Sequence, residues 1–339
     1  MIFTKIFNAF KKAAPAVIII LVIILLIPII FAQKVKIEDK RPPNYSNQFP
    51  VTIDIDKKLI LEDVEVNTYL EGMSSPFQAT AFLSKKNFEK IFTYLAISIS
   101  RLASTQNLAL VSSEKFITIK AGQRKEEVAN TFGKTLAWNE VMKKEFMTKK
   151  EGSNLPFSEG SYFPGVYVVN VNATPSDVQN LINKRFITNI LARYGETTSE
   201  KIPLEVALSV ASLIQRETIG TEDMRLVSGI IWNRIFANMK LQLDATLQYA
   251  KANKTKNSVW WPTVESGDKF IKSPYNTYLN NGLPPTPIAN PSTAAVLAAL
   301  NPLKTTCLYY FHDEKGDMHC TDTYKEHVGA LKLLYGKGK

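Results

Sequence analysis

The sequence predicts an α+β protein with one membrane-spanning helix at its N-terminus. Residues 13–33 carry no charge and are almost entirely aliphatic. Residues 51–55 and 117–119 alternate apolar and polar side chains, as half-buried strands do, whereas residues 204–218 are mostly apolar or small over a helical length. The part of the chain that follows the apolar N-terminal run is long enough for two domains.

The apolar run at residues 13–33 predicts an uncleaved membrane anchor. At roughly 1.5 Å per residue, one helix of this length spans the ~30 Å hydrocarbon core of a bilayer. Pro28 and Phe31 occupy the place where a signal peptide would have small residues for cleavage. We therefore expect a short cytoplasmic tail at residues 1–12 and a tether at residues 34–48. Lysines flank the span on both sides, so the positive-inside rule does not decide its orientation.

The net charge and the cysteine content exclude several classes of protein. A formal charge of +10 suits an anionic polymer or a membrane surface, and ordinary solubility explains it equally well. Long basic blocks interleaved with aromatic residues are absent from the sequence, so nucleic acid is not an expected partner. Two cysteines support neither a zinc cluster nor a disulfide-dense scaffold, and a large apolar core must hold the fold together.

A hairpin is predicted between the two cysteines, Cys307 and Cys320, with an apolar arm at residues 308–311 and a turn near residues 313–317. A disulfide and two separately buried thiols are both compatible with this arrangement. Neither a metal nor an organic cofactor is expected. The histidines lack companion ligands at metal-binding spacing, and structural roles are expected for all of them: His312, His319 and His327.

The N-terminal region of the ectodomain, residues 49–186, contains a strand–turn–helix pattern. Residues 117–119 alternate, Gly122 provides a turn, and apolar residues at helical spacing lead to Phe132. This pattern is the opening of a small lysin-motif-like glycan-binding unit, which we place at about residues 114–186. Any half-buried strand followed by an amphipathic helix has a similar pattern.

A buried helix that begins after Pro203 presents a candidate catalytic acid. Val206, Val210, Leu213 and Glu217 follow one another at steps of four, three and four residues, so they share one helix face. The carboxylate therefore projects from an apolar stripe, where desolvation raises its pKa. The negative end of the helix dipole acts in the same direction. A solvated surface charge is the alternative interpretation of this residue.

Three downstream segments have the composition of walls around a sugar cleft: residues 241–249, 273–278 and 282–288. Their prolines fix the loop backbone, and their Tyr and Asn side chains offer ring faces and amides to carbohydrate hydroxyls. Loop rigidity alone would also explain the prolines. The candidate cleft residues, including a pair at the end of the preceding helix, are Asn233, Arg234, Gln242, Asp244, Tyr275, Asn276 and Thr277.

The order of these motifs along the chain resembles the endolytic murein transglycosylase family, the YceG-like or MltG proteins. The matching runs are Ala211–Thr218, Asn233–Arg234, Leu241–Asp244, Ser273–Tyr278, Gly282–Ile288 and Asn301–Pro302, within a resemblance that covers about residues 116–332. The resemblance implies a catalytic domain at residues 187–335, with Glu217 as the catalytic glutamate. It also implies an inner-membrane protein whose extracytoplasmic part cleaves nascent glycan between N-acetylmuramic acid and N-acetylglucosamine.

The chain departs from the family pattern at several positions. Gln215 replaces the acid that is usual two residues before the catalytic glutamate. Leu243 and Ala245 replace a small hydroxyl residue and a proline. The terminal His-x-Phe pattern is shifted or lost around His319, although three nearby residues match: Thr323, Glu326 and His327.

Three functions fit the sequence. A lytic transglycosylase needs one carboxylate, Glu217, because the C6 hydroxyl of muramic acid is the nucleophile. A hydrolase needs a second carboxylate, for which Asp244 or Glu222 would serve. A non-catalytic scaffold would bind peptidoglycan strands and the synthases that build the wall, and would use none of these acids.

Overall fold

A computed structural model describes residues 48–74, 114–148, 158–221, 223–254 and 259–336. The predicted tail and span, and nearly all of the predicted tether, lie outside these residues. Within the described part of the chain, no helix is both long enough and apolar enough to cross a membrane.

Strands and helices are mixed along the chain, in agreement with the predicted α+β class. The N-terminal segment contains β1 (Ile53–Asp54), β2 (Leu59–Ile60) and α1 (Val64–Ser74). A strand–helix unit follows, with β3 (Glu114–Ile119), α2 (Lys125–Leu136), α3 (Glu140–Met147), β4 (Gly165–Asn170) and α4 (Pro175–Asn189). The remaining elements are α5 (Glu196–Lys201), α6 (Leu204–Glu217), α7 (Met224–Phe236), α8 (Asp244–Lys254), α9 (Thr293–Leu300), β5 (Tyr309–His312), β6 (Met318–Thr321) and α10 (Tyr324–Tyr335).

The strand–helix unit has its own aromatic core. β3 pairs antiparallel with β4, with Ile117 opposite Tyr167, and α2 and α3 lie between the two strands in the sequence. Phe132 packs against Trp138, Phe146 and Tyr167, with ring centroids 5.7 to 6.2 Å apart. The strand and the helix predicted on either side of Gly122 are therefore confirmed as β3 and α2.

A second core surrounds α6. This helix packs against α7, α8 and α9, and residues 207–208, 210–211 and 213–214 are buried. Phe49, Ile53 and Val66 from the N-terminal segment belong to the same cluster of buried side chains. The segment that precedes the strand–helix unit in the sequence therefore packs with the core around α6.

The loops at one end of the strand–helix unit contact the second core through Asn290, which is fully buried. Its side-chain Oδ1 accepts hydrogen bonds from the backbone amides of Gly160 and Tyr162, at 3.0 and 2.9 Å. Its backbone carbonyl oxygen accepts a hydrogen bond from the backbone amide of Gly122. Gly160 has φ +93°, and a Cβ there would lie 2.8 Å from Pro287, so a glycine is required. We call the contact region around Asn290, Gly122 and residues 160–162 the junction.

The predicted hairpin is formed by β5 and β6, which pair antiparallel with Tyr310 opposite Cys320. Cys307 and Cys320 are joined by a disulfide, with their Cα atoms 5.8 Å apart. The sequence left a disulfide and two free thiols open, and the structure contains the disulfide.

Candidate active site

Glu217 is the last residue of α6, the helix predicted to carry it. Val210 and Leu213, which precede it on the same face, have no exposed surface. Glu217 keeps some exposed surface, whereas its carboxyl group is closely surrounded by protein atoms. The predicted projection of a carboxyl group from an apolar helix face is therefore confirmed.

The side chain of Tyr310 on β5 reaches this carboxyl group. Its hydroxyl donates a hydrogen bond to Glu217 Oε2 at 2.8 Å. Burial, followed by the nearby Glu217 charge, raises the pKa of Tyr310 well above its usual value, so the phenol stays protonated. Sequence reasoning missed Tyr310 as a site residue because the hairpin pattern identified its strand but not the partner of its hydroxyl.

The pKa of Glu217 is raised above its ordinary value, and burial is the largest cause. The hydrogen bond from Tyr310 and one from the backbone amide of Ala245 act in the opposite direction, because both stabilise the ionised form. The negative charge of Asp244 raises the pKa further, and the positive charge of Arg216 lowers it. The net effect favours a carboxyl group that holds a proton to a higher pH than a solvated glutamate does.

Four of the seven predicted cleft residues keep exposed or partly exposed side chains, and three of these four lie on the segments after α7. Asp244 is the first residue of α8, and its Oδ1 accepts a hydrogen bond from the Tyr278 hydroxyl at 2.6 Å. Gln242 is exposed and has a left-handed backbone, with φ 54°. Tyr275 is partly buried, and its hydroxyl lies 2.9 Å from that of Thr286. These three side chains remain available to a ligand.

Asn276 and Thr277 are buried in the wall of the site. The Asn276 amide donates to the carbonyls of Lys269 and Ile271, at 3.0 and 2.8 Å. The Thr277 hydroxyl accepts from the backbone amide of Leu243 at 3.0 Å. Both side chains therefore hold neighbouring segments of the wall in place.

Asn233 and Arg234 fasten the end of α7 to the chain that leads into the hairpin. The Asn233 amide donates to the carbonyl of Cys307 at 3.1 Å. Arg234 donates to the carbonyls of Leu308 and Leu241, at 2.6 and 2.7 Å. The structure gives these two residues a supporting role, as it does Asn276 and Thr277, and a direct contact of these four with substrate stays a prediction.

The sequence of residues 82–332 matches the YceG-like family. This chain belongs to that family. The match begins at residue 82, whereas the resemblance of the motifs began only near Phe116. A crystal structure of a YceG-like protein from Listeria monocytogenes superimposes with a TM-score of 0.52 at 25% identity, and the match covers 63% of this chain and 75% of that one.

Two curated relatives carry the name endolytic murein transglycosylase. The protein of Bacillus subtilis (strain 168) is 36% identical over 173 residues, which is 51% of this chain and 46% of the relative. The protein of Streptococcus pneumoniae serotype 2 is 30% identical over 173 residues, which is 50% of this chain and 31% of the relative. The matched region thus spans less than half the length of each relative.

Two of the residues at which this YceG-like chain departs from the family pattern, Gln215 and His319, make local contacts. Gln215 Oε1 accepts a hydrogen bond from the backbone amide of Ser292 at 3.0 Å, and Ser292 caps the N-terminus of α9. The side chain at position 215 therefore contacts the start of α9 through an oxygen that an acid at this position would also offer. His319 lies 2.9 Å from Asp313 within the hairpin and stacks on Phe311.

The other acids and histidines of the YceG-like domain are spread out. Among the residues that the structure describes, no group of three or more His, Cys, Asp or Glu side chains could hold a metal ion. His312 lies 3.4 Å from Asp223, and His327 stacks on Tyr309. Glu222, one of the two candidates for a second carboxylate, lies outside the described residues, and the other, Asp244, raises the pKa of Glu217.

Proposed function

We propose that this chain is an endolytic lytic transglycosylase that acts on the glycan strands of peptidoglycan, with Glu217 as its general acid and base. The proposal depends on the environment of Glu217. Its carboxyl group is desolvated and has a raised pKa, and part of the residue remains exposed to solvent. The membership of the YceG-like family and the names of the two bacterial relatives support the choice of substrate and reaction.

In the first step, the protonated Glu217 donates its proton to the glycosidic oxygen between N-acetylmuramic acid and N-acetylglucosamine. The bond between C1 and that oxygen breaks, and the leaving sugar keeps the proton as a hydroxyl. A raised pKa supports this step, because a general acid must hold its proton near the pH at which it works.

In the second step, the Glu217 carboxylate accepts the proton of the C6 hydroxyl of the same muramic acid. The C6 oxygen attacks C1 and closes a 1,6-anhydro ring, so no water is consumed and Glu217 returns to its acid form. Because the nucleophile belongs to the substrate, its proximity replaces the second carboxylate that a hydrolase needs.

The proposed sugar contacts are the exposed side chains of Gln242 and Asp244 and the partly buried side chain of Tyr275. Asn233, Arg234, Asn276 and Thr277 are proposed to position the backbone of the same walls, because their polar atoms bond within the protein.

The remainder of the chain is proposed to hold the enzyme on its polymer. Residues 13–33 would anchor it in the cell membrane with the catalytic domain on the extracytoplasmic side. The strand–helix unit would bind glycan as a lysin-motif-like unit, and peptidoglycan synthases would be its protein partners.

The proposal is tested by incubating the full chain with purified sacculi and identifying the released products. Mass spectrometry should find anhydro-muropeptides from the wild-type protein and none from Glu217→Gln. Products heavier by one water would indicate a hydrolase instead. Binding to sacculi without release of any product, equally by wild type and Glu217→Gln, would support a non-catalytic scaffold.

A further inference from the structure

The hairpin supplies a hydrogen-bond partner to the Glu217 carboxyl group. Oε2 accepts the hydrogen bond from the Tyr310 hydroxyl at 2.8 Å. The phenol is a donor throughout the neutral range, because its pKa is raised well above the ordinary value.

Several contacts fix the position of Tyr310. It is directly opposite Cys320 in the hairpin, and Cys320 is joined to Cys307 on the other arm by the disulfide. Arg234 of α7 donates to the carbonyl of Leu308 at 2.6 Å, two residues before Tyr310. The backbone that carries Tyr310 is thus held by strand pairing, a covalent link and a helix contact.

We propose that Tyr310 is a positioning residue of the reaction, which holds the Glu217 carboxyl group through Oε2 in the orientation that serves proton transfer. The inference rests on the proposed function, because it names the residue that orients the catalytic acid. It also means that one side chain of the hairpin, which lies far from α6 in the sequence, orients the catalytic acid.

The same hydrogen bond changes strength during the cycle. When Glu217 has given its proton to the glycosidic oxygen, Tyr310 donates to a carboxylate, and such a charge-assisted bond is roughly twice as strong as a neutral one. Tyr310 therefore stabilises the intermediate form of the catalyst. It also opposes the effect of burial on the Glu217 pKa, so the residue can release its proton as well as hold it.

Other charged and titratable groups face Glu217 from the surrounding elements. Asp244 on α8 raises its pKa and Arg216 on α6 lowers it. Tyr278 donates to Asp244, and Arg234 on α7 lies near enough to Tyr310 to lower the tyrosine pKa. His312, also on β5, lies with its ring centroid 6.2 Å from that of Tyr310 and contacts Asp223. All of these groups remain in place when only the Tyr310 hydroxyl is removed.

Tyr310→Phe tests the proposal, with Tyr309→Phe as a matched control that removes the same hydroxyl from the adjacent residue of β5. Loss of the donor should lower kcat about ten-fold or more with little change in KM. Because the lost bond lowered the Glu217 pKa, the basic limb of the kcat profile should move up by about one pH unit. Tyr309→Phe should retain the wild-type kcat and pH profile.

A titration of ¹³C-labelled glutamate carboxyl groups by NMR gives the Glu217 pKa without any turnover, with its signal assigned by its loss in Glu217→Gln. The proposal expects a higher Glu217 pKa in Tyr310→Phe than in Tyr309→Phe. An unshifted pKa, or equal loss of activity in both variants, would overturn it. If wild type releases no anhydro product, the proposed function fails, while the titration still reports on the contact between Tyr310 and Glu217.

Discussion

Two glutamates with raised pKa values lie in two different regions of the molecule. Glu159 lies at the junction with 3% of its surface exposed, and burial raises its pKa to about 8. Its Oε1 accepts hydrogen bonds from the backbone amide of Lys125 at 2.9 Å and from the Asn290 amide at 3.4 Å. Glu217 lies at the end of α6, where burial also raises the pKa, but part of its residue surface stays exposed.

The difference shows that a raised pKa alone does not identify a catalytic acid. At the junction the carboxyl group is enclosed, and the negative charge of Glu126 raises its pKa further while Arg124 lowers it. Such a carboxyl group can hold a proton, but it is too enclosed to contact a polymeric substrate. Glu217 combines the same desolvation with an open side and a tyrosine that orients it. Access to substrate, and not the pKa value, separates the two regions.

The largest expected effect is on activity. Glu217→Gln should lower the rate of anhydro-muropeptide release roughly 10⁴-fold, because one residue serves as both acid and base. Glu159→Gln, a neutral replacement of the other raised carboxyl group, should keep the wild-type rate. Product release from sacculi at pH 7, with folding checked by circular dichroism, measures both. A comparable loss in Glu159→Gln would remove the distinction between the two regions.

The second effect concerns stability as a function of pH. The unfolded chain ionises Glu159 near pH 4.5, whereas the folded chain does so near pH 8, so the unfolded state binds fewer protons between these values. The free energy of unfolding should therefore fall as the pH rises from about 4.5 to about 8, by roughly 5 kcal/mol if the whole shift is expressed. In Glu159→Gln this contribution should be absent. Urea unfolding at several pH values measures it.

A surface glutamate provides the control for this pH dependence. Glu140 on α3 pairs with Lys143 at 2.7 Å, and its side chain is 87% exposed. Glu140→Gln removes a carboxyl group from an exposed helix position, and the change of slope in Glu159→Gln is measured against this variant. Glu217 contributes equally to wild type and both variants, so its contribution cancels in the comparison. An identical slope in wild type and Glu159→Gln would mean that the carboxyl group at the junction ionises normally.

The third and smallest effect concerns the hairpin that brings Tyr310 to Glu217. Replacing Cys307 and Cys320 together by serine should lower the free energy of unfolding by about 3 kcal/mol, because the disulfide closes a short loop and restricts the unfolded chain. Urea unfolding measures the change, and wild type in reducing agent should behave like the double variant. Unchanged stability in both would show that pairing of β5 with β6 suffices to hold the hairpin.

Local patterns were enough to locate Glu217 and several elements around it. The steps of four, three and four residues placed its carboxyl group on the apolar face of α6, since a helix repeats every 3.6 residues. The alternation at residues 117–119 predicted β3, and the apolar arm after Cys307 predicted β5. Each of these depends on neighbours close in sequence, which is the kind of information that periodicity contains.

The roles of the cleft residues could not be separated in this way. Asn276 and Gln242 both belong to motifs that predict a sugar cleft, yet one amide is buried against two carbonyls and the other side chain is exposed. Burial depends on which loops pack together, so the residue type alone cannot distinguish a support from a contact. The same reason explains why Glu159 was not recognised as a buried acid.

The sequence by itself determined the mixed class of the fold, the position of the candidate acid and the family to which the chain belongs. The tertiary structure decided that Tyr310 meets Glu217, that Glu159 is enclosed at the junction, and that Cys307 and Cys320 are joined. The physical reason is distance along the chain. Helix and strand periodicity arises from adjacent residues, whereas a hydrogen bond between residues 217 and 310 exists only when the whole core around α6 has packed.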